Sequence, residues 1–132
     1  MIERGDIMEL IIKKCKKCGS VVIPYKDCEC RECGLKCCGE EMIELIANSE
    51  DAAFEKHVPT YEIVEDEISV MVNHVMEKEH YIEFIALVTD TKIYLERLYP
   101  EMDAQVRFKY IKGATLYSYC NKHGLWMSKV DK

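Results

Sequence analysis

The sequence lacks the features that mark membrane and secreted proteins. None of its apolar runs approaches the roughly 20 residues that a membrane-spanning helix requires. Residues 1–10, MIERGDIMEL, carry charged side chains where a secretory signal needs an apolar stretch. We therefore expect a cytoplasmic protein that has no membrane partner.

The chain also lacks the motifs of several enzyme classes. It has no phosphate-cradling glycine loop, no dinucleotide-binding fingerprint and no nucleophile paired with a base, which argues against a kinase or a hydrolase. Its formal net charge is −6, from 18 basic and 24 acidic side chains, whereas contacts to nucleic-acid phosphates need a basic surface. We therefore expect no nucleic-acid partner.

What the chain does have is cysteine. It contains eight cysteines in 132 residues, seven of them from Cys15 to Cys38 and the eighth, Cys120, near the C-terminus. In a reducing cytoplasm such thiols serve as metal ligands rather than as disulfides. The cysteine-rich segment is short of large apolar side chains, and the composition changes where it ends. We predict a metal-binding domain over residues 1–47 and a second domain over residues 48–132.

The second part of the chain is rich in short β-type runs. Val, Ile, Tyr and Phe are concentrated in segments that recur about every twelve residues, at 67–72, 81–88, 92–98, 104–110 and 115–120. Val106, Phe108 and Tyr110 alternate with Arg107 and Lys109, as in a strand with one buried face. No helix-length amphipathic segment lies between the runs. These patterns predict a mostly β protein whose second domain is an antiparallel, immunoglobulin-like β-sandwich.

The first candidate metal site begins with a CxxC knuckle. In Cys15-Lys-Lys-Cys18-Gly19 the two-residue spacer lets two thiolates reach one metal, and Gly19 permits the tight turn that follows. Four thiolates around one ion suit zinc and iron equally well, so the residues alone do not decide the metal. A purely structural zinc site is the plainest alternative.

A four-thiolate site needs a second pair of cysteines, and the chain offers two. Cys30 and Cys33 form another CxxC, which would complete a zinc-ribbon or rubredoxin-like pattern. Cys37 and Cys38 are adjacent and are followed by a glycine. Spacing alone favours Cys30 and Cys33.

The second candidate site consists of the histidines and the isolated cysteine. The chain has four histidines, each at a strand edge or in a loop: His57, His74, His80 and His123. Taken singly, each is most simply explained as a surface or hydrogen-bonded residue. The Cys120-Asn-Lys-His123 segment has a spacing typical of metal ligands, so the combination is more informative than any one histidine.

Several motifs resemble the desulfoferrodoxin family of two-iron superoxide reductases. Residues 50–58, EDAAFEKHV, with the proline that follows, resemble its EKHVP stretch. Residues 74–84, HVMEKEHYIEF, resemble its HPMxxxHxIEW segment, and residues 120–126, CNKHGLW, resemble its CNxHGxW motif. Residues 36–42, KCCGEEM, resemble the CCGEPM segment that ends the family's desulforedoxin domain. With the CxxCG knuckle, these motifs span nearly the whole chain in the family's order.

The resemblance implies two metal centres. A catalytic iron would have four imidazole ligands and one thiolate ligand. These are His57, His74, His80, His123 and Cys120. A second iron, or a zinc, would have four thiolate ligands in a desulforedoxin-like domain. These are Cys15, Cys18, Cys37 and Cys38, so the resemblance favours the adjacent cysteine pair over the second CxxC.

The resemblance also implies an activity. Members of the family reduce superoxide to hydrogen peroxide, with electrons from rubredoxin or a similar carrier. Lys56 would attract superoxide and orient a proton-donating water, and Glu55 would close the open coordination position once the iron is ferric. The implied assembly is a homodimer. The alternative is a non-catalytic electron-transfer protein or a zinc-stapled binding module.

Two features depart from the family pattern. Cys28, Cys30 and Cys33 lie in an insertion that the pattern lacks, so their role stays open. Val75 replaces the proline that follows the first histidine of the HPMxxxHxIEW segment. Because proline fixes φ, we expect its absence to loosen the loop without the loss of a ligand. Trp126, like the tyrosines and methionines, is expected to be a packing residue.

Overall fold

The structure is a computed structural model that describes residues 9–26, 34–50 and 52–131. The chain divides into two compact units, Glu9–Ile46 and a second unit that continues from Ala47. The expectation of a mostly β protein with a cysteine-rich module and a β-sandwich is confirmed. The division into two domains at residue 47 stays a prediction. Among the described residues, no helix is long and apolar enough to cross a membrane.

The first unit consists of very short strands. They are β1 (Lys13–Lys14), β2 (Val21–Val22), β3 (Lys36–Cys37), β4 (Glu40–Glu41) and β5 (Ile43–Glu44). Strand β1 pairs antiparallel with β2 and β5, and β3 pairs antiparallel with β4. A unit this small gains little from apolar burial, and such units are commonly stapled by a metal. The predicted alternatives that involve Cys28, Cys30 and Cys33 lie outside the described residues.

The second unit is a sandwich of two antiparallel sheets. A 3₁₀ helix, Phe54–Lys56, precedes strands β6 (Thr60–Val64), β7 (Glu67–Met71), β8 (Ile82–Val88), β9 (Ile93–Arg97), β10 (Gln105–Lys109), β11 (Thr115–Cys120) and β12 (Gly124–Lys129). One sheet has the order β10-β7-β6 and the other β12-β11-β8-β9. Ile68, Val70 and Val106 from the first sheet join Ile85, Leu87 and Leu116 from the second in one apolar core.

Burial along the strands follows their place in the sheets. On β10, Val106 and Phe108 are buried while Arg107 and Lys109 are exposed, which confirms the predicted alternation. The central strands β8 and β11 are buried almost throughout, so most of their residues are apolar or aromatic. The five predicted runs correspond to β7 to β11, each within about two residues at either end.

The strand register brings three connections to one end of the sandwich. Thr60 at the start of β6 pairs with Met71 at the end of β7. Cys120 at the end of β11 pairs with Ile82 at the start of β8 and with Gly124 at the start of β12. The segment before β6, the β7–β8 loop and the β11–β12 turn therefore lie at the same end, and these segments carry the four histidines.

Candidate metal centres

The four histidines and Cys120 converge at this end of the sandwich. One ligand-capable atom from each of His57, His74, His80, Cys120 and His123 lies within 4.8 Å of all the others. The imidazoles form a closed ring of neighbours, with successive ring centroids 4.6 Å to 5.0 Å apart. Their planes are steeply tilted against one another, so nitrogens rather than ring faces point inward. The predicted grouping of these five side chains is confirmed.

Hydrogen bonds decide which nitrogen each imidazole presents. The Nδ1 of His57 donates to the carbonyl of Ala53 at 2.7 Å, and the Nδ1 of His74 donates to the carbonyl of Val75 at 2.5 Å. Because a carbonyl can only accept, both rings keep the Nε2 lone pair for the centre. His123 presents the opposite nitrogen, with its Nδ1 3.1 Å from the Nε2 of His57.

The fourth imidazole supplies the clearest sign that a cation belongs here. The Nε2 of His80 is buried, and no hydrogen-bond partner for it lies among the described residues. A buried polar atom left without a partner costs about 1–3 kcal/mol. Inward-facing imidazole nitrogens beside a thiol are a donor set that iron and zinc accept, so the residues present fit a bound metal ion.

The sulfur of Cys120 completes the group from the buried side. It lies 3.5 Å from the Nε2 of His74 and 3.8 Å from the Nδ1 of His123. Burial raises the pKa of the Cys120 thiol, and the backbone N–H groups of Lys122 and His123 oppose that rise. A neighbouring cation would favour the thiolate further, because it stabilises the charged form.

Burial also favours the neutral form of two of the histidines. It lowers the pKa of His74 and of His80, and charge repulsion from neighbouring imidazoles, and at His80 also from Lys122, lowers it further. The carbonyl of Val75 partly opposes the shift at His74. Neutral imidazole is the form that binds metal, so the fold favours the ligand state of both rings.

Asn121 fastens the turn that carries Cys120 to the loop that carries His80. Its side-chain oxygen accepts from the backbone N–H of Tyr81 at 3.0 Å, and its amide donates to the carbonyl of Glu79 at 3.0 Å. The backbone N–H of Asn121 also donates to the carbonyl of Tyr81. This side chain therefore fixes the distance between two of the segments that supply ligands.

The second group of candidate ligands is the set of four cysteines in the first unit. The sulfurs of Cys15, Cys18, Cys37 and Cys38 all lie within 4.8 Å of one another. The Cys18 and Cys37 sulfurs are 3.6 Å apart, and those of Cys37 and Cys38 are 3.9 Å apart. Disulfide sulfurs are about 2.05 Å apart, so these residues are free thiols.

Two tight turns bring these sulfurs together. Cys38 and Gly39 have φ values of 54° and 77°, the pattern of a type I′ turn, and they join β3 to β4. Gly19, with a φ of 80°, follows the first knuckle and donates its N–H to the carbonyl of Cys15 at 2.9 Å.

The thiols of this group do not ionise independently. The backbone N–H of Cys18 lowers the pKa of Cys15 to about 7. The neighbouring sulfurs of Cys18 and Cys15 raise the pKa of Cys37 to about 12. Four thiolates this close repel one another unless a cation lies between them. The group therefore fits a metal ion, and its donor set matches both iron and zinc.

Comparison with known proteins assigns the family. The desulfoferrodoxin family model matches residues 49–129. The chain belongs to the desulfoferrodoxin family. It is 39% identical over 128 residues to a desulfoferrodoxin of Syntrophotalea carbinolica, which covers 92% of this chain and 97% of that one. It is 36% identical over 127 residues to a desulfoferrodoxin of Nitratidesulfovibrio vulgaris, which covers 90% and 95%. The resemblance predicted from the sequence is confirmed.

Solved structures agree with this desulfoferrodoxin assignment. The superoxide reductase of Treponema pallidum aligns with a TM-score of 0.70 and 27% identity, covering 92% of this chain and all of that one. A superoxide reductase of Giardia intestinalis aligns with a TM-score of 0.51 and 22% identity over 59% of this chain, which shows a shared fold. The group of four histidines with one cysteine and the separate group of four cysteines match the iron sites expected of a desulfoferrodoxin.

An open cleft of about 510 Å³ lies against the histidine ring of this desulfoferrodoxin. All four histidines line it, together with Lys56 and Glu77, whereas Cys120 does not. The thiol therefore lies away from the open face. Glu55 is exposed on the 3₁₀ helix and is not among the cleft-lining residues. The predicted roles of Lys56 and Glu55 stay predictions.

Sequence reasoning missed several residues that shape the desulfoferrodoxin site. Glu77 lines the cleft, and Asn121 and Ser118 hold ligand-bearing segments by hydrogen bonds. Asn121 could have been found, because it lies inside the CNxHGxW motif between two predicted ligands. Ser118 lies in a strand whose remaining residues, apart from Thr115, are apolar or aromatic, and its position two residues before Cys120 was the available signal.

Proposed function

We propose that this chain is a superoxide reductase, which converts superoxide to hydrogen peroxide with one external electron and two protons. The observation that carries the proposal is the ring of four imidazoles with Cys120 on its buried side and an open cleft on the other. The similarity to the Treponema pallidum superoxide reductase supports it. A cleft of this kind admits a small anion to one face of the centre.

The residues that would hold iron are His57, His74, His80, Cys120 and His123. Iron bound there would supply the electron, cycling between its ferrous and ferric forms. The buried thiolate would increase electron density at the centre, since it is a strong donor that is shielded from water. The neutral imidazoles would leave a ferrous site with net positive charge, which favours an approaching anion.

Lys56 is proposed to attract superoxide and to orient a proton-donating water. Lys56 lines the same cleft as the histidines, and the resemblance assigns this role to it. A lysine in a cleft raises the local concentration of small anions by long-range attraction. Glu55 is proposed to close the open face in the oxidised state, which would require the 3₁₀ helix to shift because the side chain lies outside the cleft.

The electron donor is proposed to be rubredoxin or a similar small carrier. Lysines bracket the first cysteine knuckle, at positions 13, 14, 16 and 17, and a basic surface of this kind favours an acidic carrier. The ammonium of Lys17 lies 3.8 Å from the carboxylate of Glu40 in an exposed ion pair. This pairing partly neutralises Lys17 and so reduces its attraction for an acidic carrier. The homodimer and the cytoplasmic location stay predictions.

Superoxide decay measured together with its products tests the proposal. Reduced, iron-loaded protein should consume superoxide with one hydrogen peroxide formed for each superoxide and no oxygen released. A dismutase would release oxygen as well, and an electron-transfer or zinc-binding module would leave superoxide decay at its background rate. Protein loaded with zinc at both sites is the matched control, because zinc does not change its oxidation state.

A further inference from the structure

Trp126 contacts two of the histidines by two different interactions. It is the only tryptophan of the chain, and its side chain is 1% exposed. Its ring stacks on the imidazole of His57, with centroids 4.9 Å apart and planes 21° apart. Its Nε1–H donates to the backbone carbonyl of His123 at 3.0 Å. One rigid side chain thus joins segments that lie 66 residues apart.

The stack restrains the tilt of the His57 ring, which its hydrogen bonds do not prevent. The Nδ1 bond to Ala53 holds one atom of the ring, but the ring can still tilt about that bond. A flat indole in face-to-face contact opposes such a tilt, because tilting would separate the two surfaces or drive them together. Trp126 therefore fixes the plane in which the Nε2 of His57 points.

The hydrogen bond to His123 acts on the turn rather than on the ring. His123 is the last residue of the turn between β11 and β12, and Gly124, with a φ of 83°, follows it. The indole N–H holds the carbonyl of this residue and so limits the movement of the turn. The Nε2 of His57 and the Nδ1 of His123, which are 3.1 Å apart, are both positioned from the same indole.

Phe54 covers the outer side of this arrangement. Its ring meets that of Trp126 edge to face, with centroids 6.1 Å apart and planes 72° apart. Phe54 begins the 3₁₀ helix, and its backbone carbonyl accepts the N–H of His57. The indole is thus held between an aromatic ring that belongs to the helix and the histidine that follows the helix.

We propose that Trp126 is a positioning residue of the histidine centre, which sets the ring plane of His57 and holds the turn of His123 so that both nitrogens meet one divalent transition-metal ion. The proposal rests on metal binding by the histidines, as in the proposed function, but not on superoxide being the substrate. It assigns to Trp126 a role beyond the packing expected from the sequence.

Cobalt(II) binding tests the proposal without an activity assay. The full chain is used with Cys18→Ser, Cys30→Ser, Cys33→Ser and Cys38→Ser, so that neither candidate four-cysteine site can form and the visible Co(II) spectrum reports the histidine centre. Loss of an outer partner of a metal ligand typically lowers metal affinity by about 10–100-fold. Trp126→Phe keeps a stacking ring and should lose roughly tenfold, whereas Trp126→Leu should lose up to about 100-fold and shift the spectrum. Affinities are measured by competition with a chelator.

A matched variant separates positioning from general loss of packing. Phe108 is a buried aromatic residue of β10, which belongs to the other sheet from Trp126. Its ring packs near that of Tyr94. Phe108→Leu should lower the melting temperature but leave the Co(II) affinity and spectrum unchanged. Equal affinities in all variants, or an equal loss in Phe108→Leu, would overturn the proposal.

A measurement on the unaltered tryptophan covers the case in which the variants do not fold. Because Trp126 is the only tryptophan and stacks on a proposed ligand, saturation with paramagnetic Co(II) should strongly quench the protein's tryptophan emission. The quench should occur both in the unaltered chain and in the variant that lacks Cys18, Cys30, Cys33 and Cys38. Unchanged emission at saturation would sink the proposal, whereas the superoxide assay decides the proposed function separately.

Discussion

The hydroxyl of Ser118 donates a hydrogen bond of 2.6 Å to the backbone carbonyl of His57, and both residues are buried. This bond ties the first histidine to the central strand β11, two residues before Cys120. A second serine makes a similar bond nearby, since Ser128 on β12 donates to the carbonyl of Pro59 at 2.6 Å. Only the first of the two bonds holds a histidine.

The two serines offer a direct test of how backbone contacts support the centre. Ser118→Ala and Ser128→Ala should each lower the free energy of unfolding by about 1–3 kcal/mol, because each leaves a carbonyl without its partner. Ser118→Ala should also weaken metal binding by roughly tenfold, whereas Ser128→Ala should not. Denaturant unfolding and chelator competition measure the two effects. Equal metal affinities would show that the backbone of His57 needs no such support.

Metal content of cysteine variants tests which thiols form the second centre. The unaltered chain should bind two metal ions, and Cys37→Ser or Cys38→Ser should reduce this to one, because three thiolates hold an ion far less tightly than four. The paired variant Cys30→Ser, Cys33→Ser is the control and should keep two ions. Loss of an ion from the control, with retention in the other variants, would assign the centre to the second CxxC.

The sequence predicts the strands of this protein better than it predicts the contacts that support the site. Strands β7 to β11 appear in the sequence as β-rich runs bounded by turn residues. Strand β6, Thr60–Val64, is mostly exposed, and strand β12, Gly124–Lys129, begins inside a motif, so neither shows a clear period. Such strands are specified by their neighbours in the sheet rather than by their own pattern.

The ligands could be predicted because each lies in a short motif, but their supports could not. The motif CNKHGLW identifies Cys120 and His123 by resemblance, yet it does not say that Trp126 stacks on a residue 69 positions earlier. Contacts of this kind depend on the register between β11 and β12 and on the path of the segment before β6. A single sequence shows local periodicity and the spacing of residues, but it does not show which distant segments pair.

Lys56 provides a test of electrostatic attraction at the cleft. Lys56→Ala should slow the bimolecular reaction with superoxide by roughly tenfold and reduce its dependence on ionic strength, with the metal content unchanged. Lys78→Ala is the matched control, because Lys78 is an exposed lysine of the β7–β8 loop that does not line the cleft. Stopped-flow decay at several salt concentrations gives both quantities. The same rate and salt dependence in the two variants would remove Lys56 from the mechanism.

The lowered pKa values of His74 and His80 predict how pH affects the metal-free protein. Burial holds both values below the ordinary 6.5, so on acidification the unfolded chain takes up protons before the folded chain does. The free energy of unfolding should therefore be highest above about pH 7 and should fall as the pH drops through 6.5 towards the folded pKa values. Thermal unfolding of metal-free protein from pH 8 to pH 5 measures this, and the double variant His74→Asn, His80→Asn should show a shallower fall. An equal fall in both proteins would mean that other groups cause the acid sensitivity.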